Sequence, residues 1–234
     1  MSAFVQEMAS AIKSRTALPK MPSDLSIEEA YSLQKELVSQ VSDGPIRGLK
    51  AGMTAAAGQK AFGLTHPLIG SLYTWGQLSP GATFKREPGV SLECEIGIVI
   101  DSDGKPKSAG PVIEDPRMAW GDPGDAKGAN LTACNIAADR YIVGQQASLR
   151  SSYEGWRVRL TRDGEEVLDA PLTDALGGPH AALDWMINEA SERGLAIDED
   201  MLLITGACGG IHPAEEGEYI ADYGELGSIS FTVT

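Results

Sequence analysis

Two glutamates within one apolar segment are the residues best suited to chemistry. Glu93 and Glu95 lie in residues 90–100, whose aliphatic and β-branched side chains predict a β-strand that ends at a turn over 101–104. Because side chains alternate along a strand, both carboxylates share one face, roughly 7 Å apart. Such a pair is tolerated where the face is solvated or where a cation is bound. The pattern therefore has two interpretations, a solvated edge strand or a site for Mg²⁺ or Mn²⁺, which prefer oxygen ligands.

The charge balance and the cysteines exclude several classes of protein. The 234 residues carry a net charge of −14 and no basic cluster, which argues against binding to nucleic acid or to an anionic membrane. Cys94, Cys134 and Cys208 are far apart and lack zinc-site spacing, so we expect free thiols in a reducing compartment. The sequence contains no signal-like N-terminus and no long apolar run, which predicts a soluble cytoplasmic protein.

The pattern of elements predicts an α+β fold. Apolar residues at helical spacing predict a helix over 3–15, and the capping box at Ser26 begins a helix that reaches Val41. Strand patterns dominate the middle of the chain, and Gly178-Pro179 opens one late helix. Residues 102–135, rich in Gly, Pro, Asp and Ala, are predicted to lack regular structure. We therefore expect a mostly β core with peripheral helices, divided into a helical N-terminal segment (1–45) and a catalytic domain (46–234).

Four segments in order resemble a known family. They are residues 48–54, residues 62–70, the Glu93/Glu95 strand followed by 110–117, and the strand 202–207 with the terminal Asp-Tyr-Gly-Glu-Leu-Gly-Ser-Ile-Ser. This series resembles the fumarylacetoacetate hydrolase superfamily, most closely its 2-keto-4-pentenoate hydratases and 2-oxo-3-hexenedioate decarboxylases, over roughly residues 26–234. The resemblance implies a mixed β-roll like the C-terminal domain of fumarylacetoacetase.

The resemblance also implies a metal site. In that family two glutamates of such a strand and a third acidic residue hold Mg²⁺ or Mn²⁺, which here implies Glu93, Glu95 and Glu114. Asp115 and Asp122 are alternatives for the third ligand. Three carboxylates over-neutralise one dication and leave coordination positions for a bidentate 2-oxo acid and water.

Four further residues are candidates for the site, and one of them, Lys50, matches a lysine of the family. Lys50 would hold the substrate carboxylate or stabilise the dienolate. Thr205 and Gly206 end a buried strand, where backbone N–H groups could bind a carboxylate. His66 is the titrating group of its segment, and an imidazole is a side chain suited to act as a general base.

The implied activity is hydration of a small unsaturated 2-oxo or 2-hydroxydienoic acid by a metal-dependent hydro-lyase of aromatic catabolism. Decarboxylation, hydrolysis of a C–C bond in an acylpyruvate, and a non-catalytic partner subunit are the alternatives. A homo-oligomer is expected, and so is a complex with a pathway enzyme. The sequence departs from the family in its short Glu95–Glu114 interval, in the lack of an acidic residue in 62–70, and in Ala207 where a serine is common.

Overall fold

Five α-helices occur within residues 3–234, the part of the chain that this computed structural model describes. The predicted capping box is present, because the Ser26 hydroxyl accepts a hydrogen bond from the Glu29 amide and the Glu29 carboxylate accepts one from the Ser26 amide. Gly194, at φ 64°, ends the last helix in the left-handed conformation that glycine adopts most easily. The helices are α1 (Ala3–Lys13), α2 (Ile27–Val41), α3 (Ala56–Ala61), α4 (Gly128–Ala133) and α5 (Pro179–Arg193).

Thirteen strands within the described residues form two mixed sheets, so the predicted α+β class is confirmed. The strands are β1 (Gly48–Gly52), β2 (Leu68–Leu72), β3 (Gln77–Leu78), β4 (Thr83–Phe84), β5 (Ser91–Ile100), β6 (Pro106–Asp115), β7 (Arg140–Val143), β8 (Arg157–Arg162), β9 (Glu165–Pro171), β10 (Leu202–Ile204), β11 (Cys208–Pro213), β12 (Gly217–Asp222) and β13 (Ser228–Val233).

The larger sheet has the strand order β2-β1-β10-β5-β6-β7-β3, and β11 also pairs with β5. The smaller sheet has the order β4-β13-β12-β8-β9. Most neighbours are antiparallel, whereas the pairs β1–β10, β3–β7 and β4–β13 are parallel. This arrangement places β5 near the centre of the larger sheet, not at an edge, so the edge-strand interpretation of the two glutamates is wrong.

The prediction that residues 102–135 lack regular structure is wrong. Strand β6 and helix α4 both lie in this interval. The strand is joined to β5 by a turn in which the Asp101 carboxylate accepts hydrogen bonds from the amides of Asp103 and Lys105. Because β6 pairs with β5 on one side and β7 on the other, tertiary pairing overrides its poor strand composition.

Alternation along the central strands separates the apolar core from the polar face. On β5 the residues Leu92, Cys94 and Ile96 are buried in the main core, which they share with residues of β8, β12 and β13 from the second sheet. Glu93 and Glu95 therefore point to the opposite face of the larger sheet. Burial of the even-numbered residues thus forces the carboxylates to the other side.

Helices cover part of that opposite face. Val5 of α1 and Leu37 of α2 share an apolar cluster with Tyr73, Ala133 and Ala138. The N-terminal helices thus pack on the segment that follows β2 and on α4. The division of the chain at residue 45 stays a prediction, and residues 1 and 2 of its first segment lie outside the described residues.

Candidate active site

Three carboxylates converge on the face of the larger sheet away from the core. Glu93 of β5 lies directly opposite Glu114 of β6, and Glu95 follows two residues further along the same face. One oxygen from each residue lies within 4.8 Å of the other two. The interval between Glu95 and Glu114 is short in sequence, and the hairpin of β5 and β6 brings Glu114 to the other two glutamates.

The alternative third ligands point elsewhere. Asp115, the next residue on β6, accepts a hydrogen bond of 2.7 Å from Arg140. Asp122 is partly exposed and accepts one of 2.6 Å from Lys20. Neither carboxylate belongs to the cluster, whereas Glu114 is the register partner of Glu93 and is the acidic residue that the fold places beside it.

The cluster has the properties of a cation site. Glu95 and Glu114 are completely buried, and the Glu95 Oε1 and Glu114 Oε2 atoms have no hydrogen-bond partner within residues 3–234. Burial and then repulsion by Glu114 raise the pKa of Glu93 to about 7, and the same causes hold the pKa of Glu95 well above its ordinary value. Unsatisfied carboxylate oxygens that repel one another are suited to a divalent cation with oxygen ligands.

Lys50 is the basic residue that binds this cluster and partly balances its negative charge. It alternates on β1 with the buried core residues Leu49 and Ala51, and is itself only 2% exposed. Its ammonium donates to the Glu114 carboxylate and, at 3.1 Å, to the Ile136 carbonyl. Burial alone lowers the pKa of Lys50, but the charges of Glu114 and Glu93 outweigh it and raise the pKa above its ordinary value.

A cavity of about 170 Å³ opens beside the carboxylates. Lys50 and Glu93 line its inner end. Most of the remaining wall is apolar and comes from β1, α3, α4, the end of β6 and β11: Met53, Phe62, Met118, Leu131, Ile136 and Ile211. A second cavity of about 170 Å³ adjoins it at Met53, Glu93 and Ile211, and Asp174 lines that one.

Two curated proteins are similar to this chain in sequence. No protein-family model matches the sequence. A 2-keto-4-pentenoate hydratase from Burkholderia vietnamiensis is 23% identical over 88% of this chain and 85% of its own length. A second 2-keto-4-pentenoate hydratase, from Paraburkholderia phymatum, is 26% identical over 78% of this chain and 76% of its own length.

Solved structures share the fold across nearly the whole chain. The 4-oxalocrotonate decarboxylase from Pseudomonas putida G7, complexed with magnesium and adipate, matches with a TM-score of 0.90 and 21% identity, covering 99% of this chain and 96% of its own. This sequence similarity and the shared fold support the predicted resemblance to the fumarylacetoacetate hydrolase superfamily. A more distant fold match is the fumarylpyruvate hydrolase from Pseudomonas aeruginosa in complex with Mn²⁺ and pyruvate, with a TM-score of 0.61, 14% identity, and coverage of 82% of this chain and 92% of its own. The predictions of the superfamily, of its β-roll fold and of an enzyme are thus confirmed.

The terminal segment that carries the superfamily resemblance holds Glu95 in place. The Tyr223 hydroxyl, fully buried, donates to the Val112 carbonyl at 2.8 Å and accepts from the Glu95 amide at 3.2 Å. Because Glu95 and Val112 are register partners on β5 and β6, this hydroxyl joins the two strands at the level of the site. The sequence pattern marked this segment, but only the fold shows what its tyrosine contacts.

Thr205 and Gly206, predicted to bind substrate, already have partners within the protein. The Gly206 amide donates to Glu95 Oε2 at 2.7 Å, and the Thr205 hydroxyl donates to the Ile96 carbonyl at 3.0 Å. The contacts that the structure shows for them therefore hold β10 to β5 and orient a carboxylate of the site.

His66, predicted as the general base, is not brought to the carboxylates. It lies between α3 and β2, its Nδ1 atom is 3.2 Å from the Thr65 hydroxyl, and it lines neither cavity. Within the described residues, the titratable groups that line the two cavities are Lys50, Glu93 and Asp174. Asp174 sits in the loop after β9, and no local motif in the sequence distinguishes it from other loop aspartates.

Sequence reasoning also missed a left-handed turn that borders the site. Asn135, Ile136 and Ala137 follow one another at φ 57°, 52° and 56°, a conformation that a β-branched residue rarely adopts. The Asn135 side chain accepts from the Ser71 amide and donates to the Ser71 carbonyl, each at 2.8 Å. A Cβ atom on Gly52 would lie 2.5 Å from Ile136, so the glycine makes room for the turn. The turn presents the carbonyl that Lys50 binds.

Proposed function

We propose that the chain is a divalent-metal-dependent hydratase that acts on a small unsaturated 2-oxo or 2-hydroxydienoic acid. The observation that carries the proposal is the convergence of Glu93, Glu95 and Glu114 beside Lys50 at the end of a cavity, with one oxygen each of Glu95 and Glu114 lacking a hydrogen-bond partner within residues 3–234. The two curated relatives, which are named as hydratases, support hydration among the reactions of the superfamily.

Glu93, Glu95 and Glu114 are the residues that would hold Mg²⁺ or Mn²⁺. Their oxygens fit a hard cation by type and by proximity, and one oxygen each of Glu95 and Glu114 has no hydrogen-bond partner among the described residues. When bound, such an ion would act as a Lewis acid on the 2-oxo group of the substrate. The magnesium and Mn²⁺ complexes of the decarboxylase and the hydrolase with this fold support the choice.

Lys50 would supply positive charge to the substrate. An ammonium group has three N–H donors. Two of them bind Glu114 and Ile136, which leaves one for a ligand in the cavity that Lys50 lines. Because the group is buried, its attraction for negative charge on a substrate oxygen is stronger than it would be in water.

Hydration of a 2-hydroxydienoate needs a proton to be transferred from the 2-hydroxyl group to C5, and water to add across C3 and C4 with its hydroxyl group on C4. A group that moves this proton must reach the cavity. Asp174 does so without belonging to the carboxylate cluster, and its Oδ2 atom is fixed by a hydrogen bond of 2.8 Å from the Gly209 amide. We therefore assign proton transfer to Asp174.

Metal-dependent thermal stability tests the metal site. The protein should melt at a higher temperature with Mn²⁺ or Mg²⁺, and higher still when oxalate or pyruvate is added, because both ligands chelate a site-bound ion. Glu93→Gln should lose both increases, whereas Glu165→Gln, at an exposed glutamate of β9, should retain them. Retention of the increases in Glu93→Gln would show that the ligand assignment is wrong.

Product analysis separates the alternative reactions. Loss of the diene absorbance with formation of a 4-hydroxy-2-oxo acid indicates hydration. Release of CO₂ from an unsaturated 2-oxo diacid indicates decarboxylation, and release of pyruvate from an acylpyruvate indicates C–C hydrolysis. We expect the first with the purified protein and Mn²⁺, and its absence alongside either of the other two would overturn the proposal.

Assembly, location and pathway stay predictions. No helix of the described residues is long and apolar enough to cross a membrane. We expect a cytoplasmic homo-oligomer that works in aromatic catabolism, and co-purification with a pathway decarboxylase would test the expected complex. Analytical ultracentrifugation of the purified chain measures its own assembly.

A further inference from the structure

We infer that the substrate carries an uncharged apolar group at the end distal to its 2-oxo acid, and no second carboxylate there. The inference rests on the proposed function, because the carboxylate cluster and Lys50 define where the 2-oxo acid end lies. It goes beyond that function by assigning the rest of the substrate.

The wall opposite Lys50 is built from apolar side chains of separate elements. Leu131 of α4 and Ile136 of the left-handed turn form its buried side, and Met118 follows β6. Phe62 ends α3, and Met53 follows β1. Because five separate points of the chain contribute apolar groups to one wall, the surface is a feature of the fold and not of one local segment.

This wall offers no charge to a distal carboxylate. Lys50 is the only Lys, Arg or His that lines the cavity within residues 3–234, and it is already bound to Glu114 and Ile136 at the other end. The remaining charged residue of the lining is Glu93, which is acidic. A second carboxylate would therefore lose its hydration and gain no partner.

The size of the cavity sets the size of the group. Its volume of about 170 Å³ is close to that of an engineered apolar cavity of ~150 Å³ that binds benzene. Because the 2-oxo acid end shares this cavity beside Lys50 and Glu93, the distal group can be no larger than about a butyl or phenyl substituent.

Ile211 at the mouth of the cavity supports the same assignment. It is 45% exposed, lines both cavities, and follows Gly209 and Gly210, which have φ values of 78° and 84°. When an apolar ligand covers a large exposed apolar side chain beside a cavity, apolar surface is removed from water, and this favours binding. We assign Ile211 as the contact for the outer end of the apolar group.

Binding of matched 2-oxo acids tests the inference. Calorimetry of the Mn²⁺-loaded protein would compare pyruvate, 2-oxohexanoate, 4-phenyl-2-oxobutanoate and 2-oxoadipate. Each buried methylene should strengthen binding about fourfold. We therefore expect 2-oxohexanoate and the phenyl compound to bind more tightly than pyruvate, and 2-oxoadipate to bind at least about tenfold more weakly than 2-oxohexanoate.

A charge added to the wall should reverse the preference. Met118→Arg is expected to bind 2-oxoadipate more tightly than 2-oxohexanoate, because the guanidinium would pair with the distal carboxylate. Phe62→Arg, at the partly exposed end of α3, provides a second test should the first variant fail to fold. Ile220→Arg, on the exposed face of β12 outside both cavities, adds the same charge and should keep the wild-type order.

Two results would overturn the inference and can be told apart. If pyruvate binds in the presence of Mn²⁺ but 2-oxoadipate binds as tightly as 2-oxohexanoate, the inference fails and the proposed function stands. If pyruvate itself does not bind with Mn²⁺, the proposed function fails and the inference fails with it.

Discussion

Lys50 and Glu114 form a buried ion pair although β10 and β5 separate their strands in the sheet. Their side chains are 2% and 1% exposed. Glu93 and Glu95 add negative charge around the same ammonium, so this single lysine partly balances three carboxylates. It therefore occupies a position where it and a divalent cation would share the charge of Glu114.

Replacing Lys50 by Met should destabilise the metal-free protein by about 3–5 kcal/mol, because a buried carboxylate loses its partner. Mn²⁺ should reduce this loss, since the ion would neutralise the same carboxylates. Urea unfolding in the presence of EDTA, and again in the presence of Mn²⁺, measures the loss in free energy of unfolding without and with the metal. Lys60→Met, at an exposed lysine of α3, should change stability by less than about 0.5 kcal/mol. An equal loss for Lys50→Met in both solutions would contradict the assigned role.

Tyr223→Phe should weaken metal binding as well as stability. The change removes the hydroxyl that joins Glu95 to Val112, and two buried backbone groups are left without that partner, at a cost of about 1–3 kcal/mol. Tyr219→Phe is a matched control, because the Tyr219 hydroxyl also bonds to one backbone amide and one carbonyl, both of Glu215. Titration with Mn²⁺ should show lower affinity for the first variant alone, and equal affinities would show that Tyr223 does not position Glu95.

Asn135→Ala should destabilise the protein by about 2–4 kcal/mol. It removes two hydrogen bonds to Ser71 and places Ala at a positive φ. Asn135→Gly loses the same hydrogen bonds but tolerates the conformation, so we expect a smaller loss. Thermal unfolding of the two variants separates the contribution of the side chain from that of the backbone. A larger loss for Gly than for Ala would argue against strain in the turn.

Asp174→Asn should lower kcat by about 10²–10⁴-fold, the usual contribution of a group that transfers a proton. The new amide oxygen can still accept the hydrogen bond from Gly209, so the loop should keep its shape. The melting-point increase with Mn²⁺ and oxalate should be unchanged. Asp184→Asn, at an exposed residue of α5, serves as the control. Full activity in Asp174→Asn would show that the proton is moved by another group.

The three cysteines should be unreactive in the native protein at pH 8. Burial raises the pKa of Cys94 and of Cys134 to about 12 and raises that of Cys208 above its ordinary value, so at this pH the thiolate fraction is about 1 in 10,000 or less. A disulfide reagent should therefore modify none of the three thiols rapidly in buffer, and all three rapidly in urea, where the protein is unfolded. Reactivity in buffer should rise as pH rises, since more thiolate forms. One fast thiol at pH 8 would place that cysteine at the surface.

The local chemistry of the chain determined several features of the protein. The period of two along 90–100 places Glu93 and Glu95 on one face, and the structure agrees. The capping box at Ser26 begins a helix where predicted, and Gly178-Pro179 opens the late helix as predicted. These features depend on interactions between residues close in sequence, and a pattern of side chains is therefore enough to predict them.

Only the tertiary structure decided which distant residues meet. The register between β5 and β6 places Glu114 opposite Glu93, and strand pairing across the sheet brings Lys50 to the same cluster while His66 stays away from it. The left-handed turn at Ile136 depends on the space that Gly52 leaves and on the hydrogen bonds that Asn135 makes to another strand. Pairing and burial of this kind arise from contacts between segments far apart in the chain, which no local period or spacing contains.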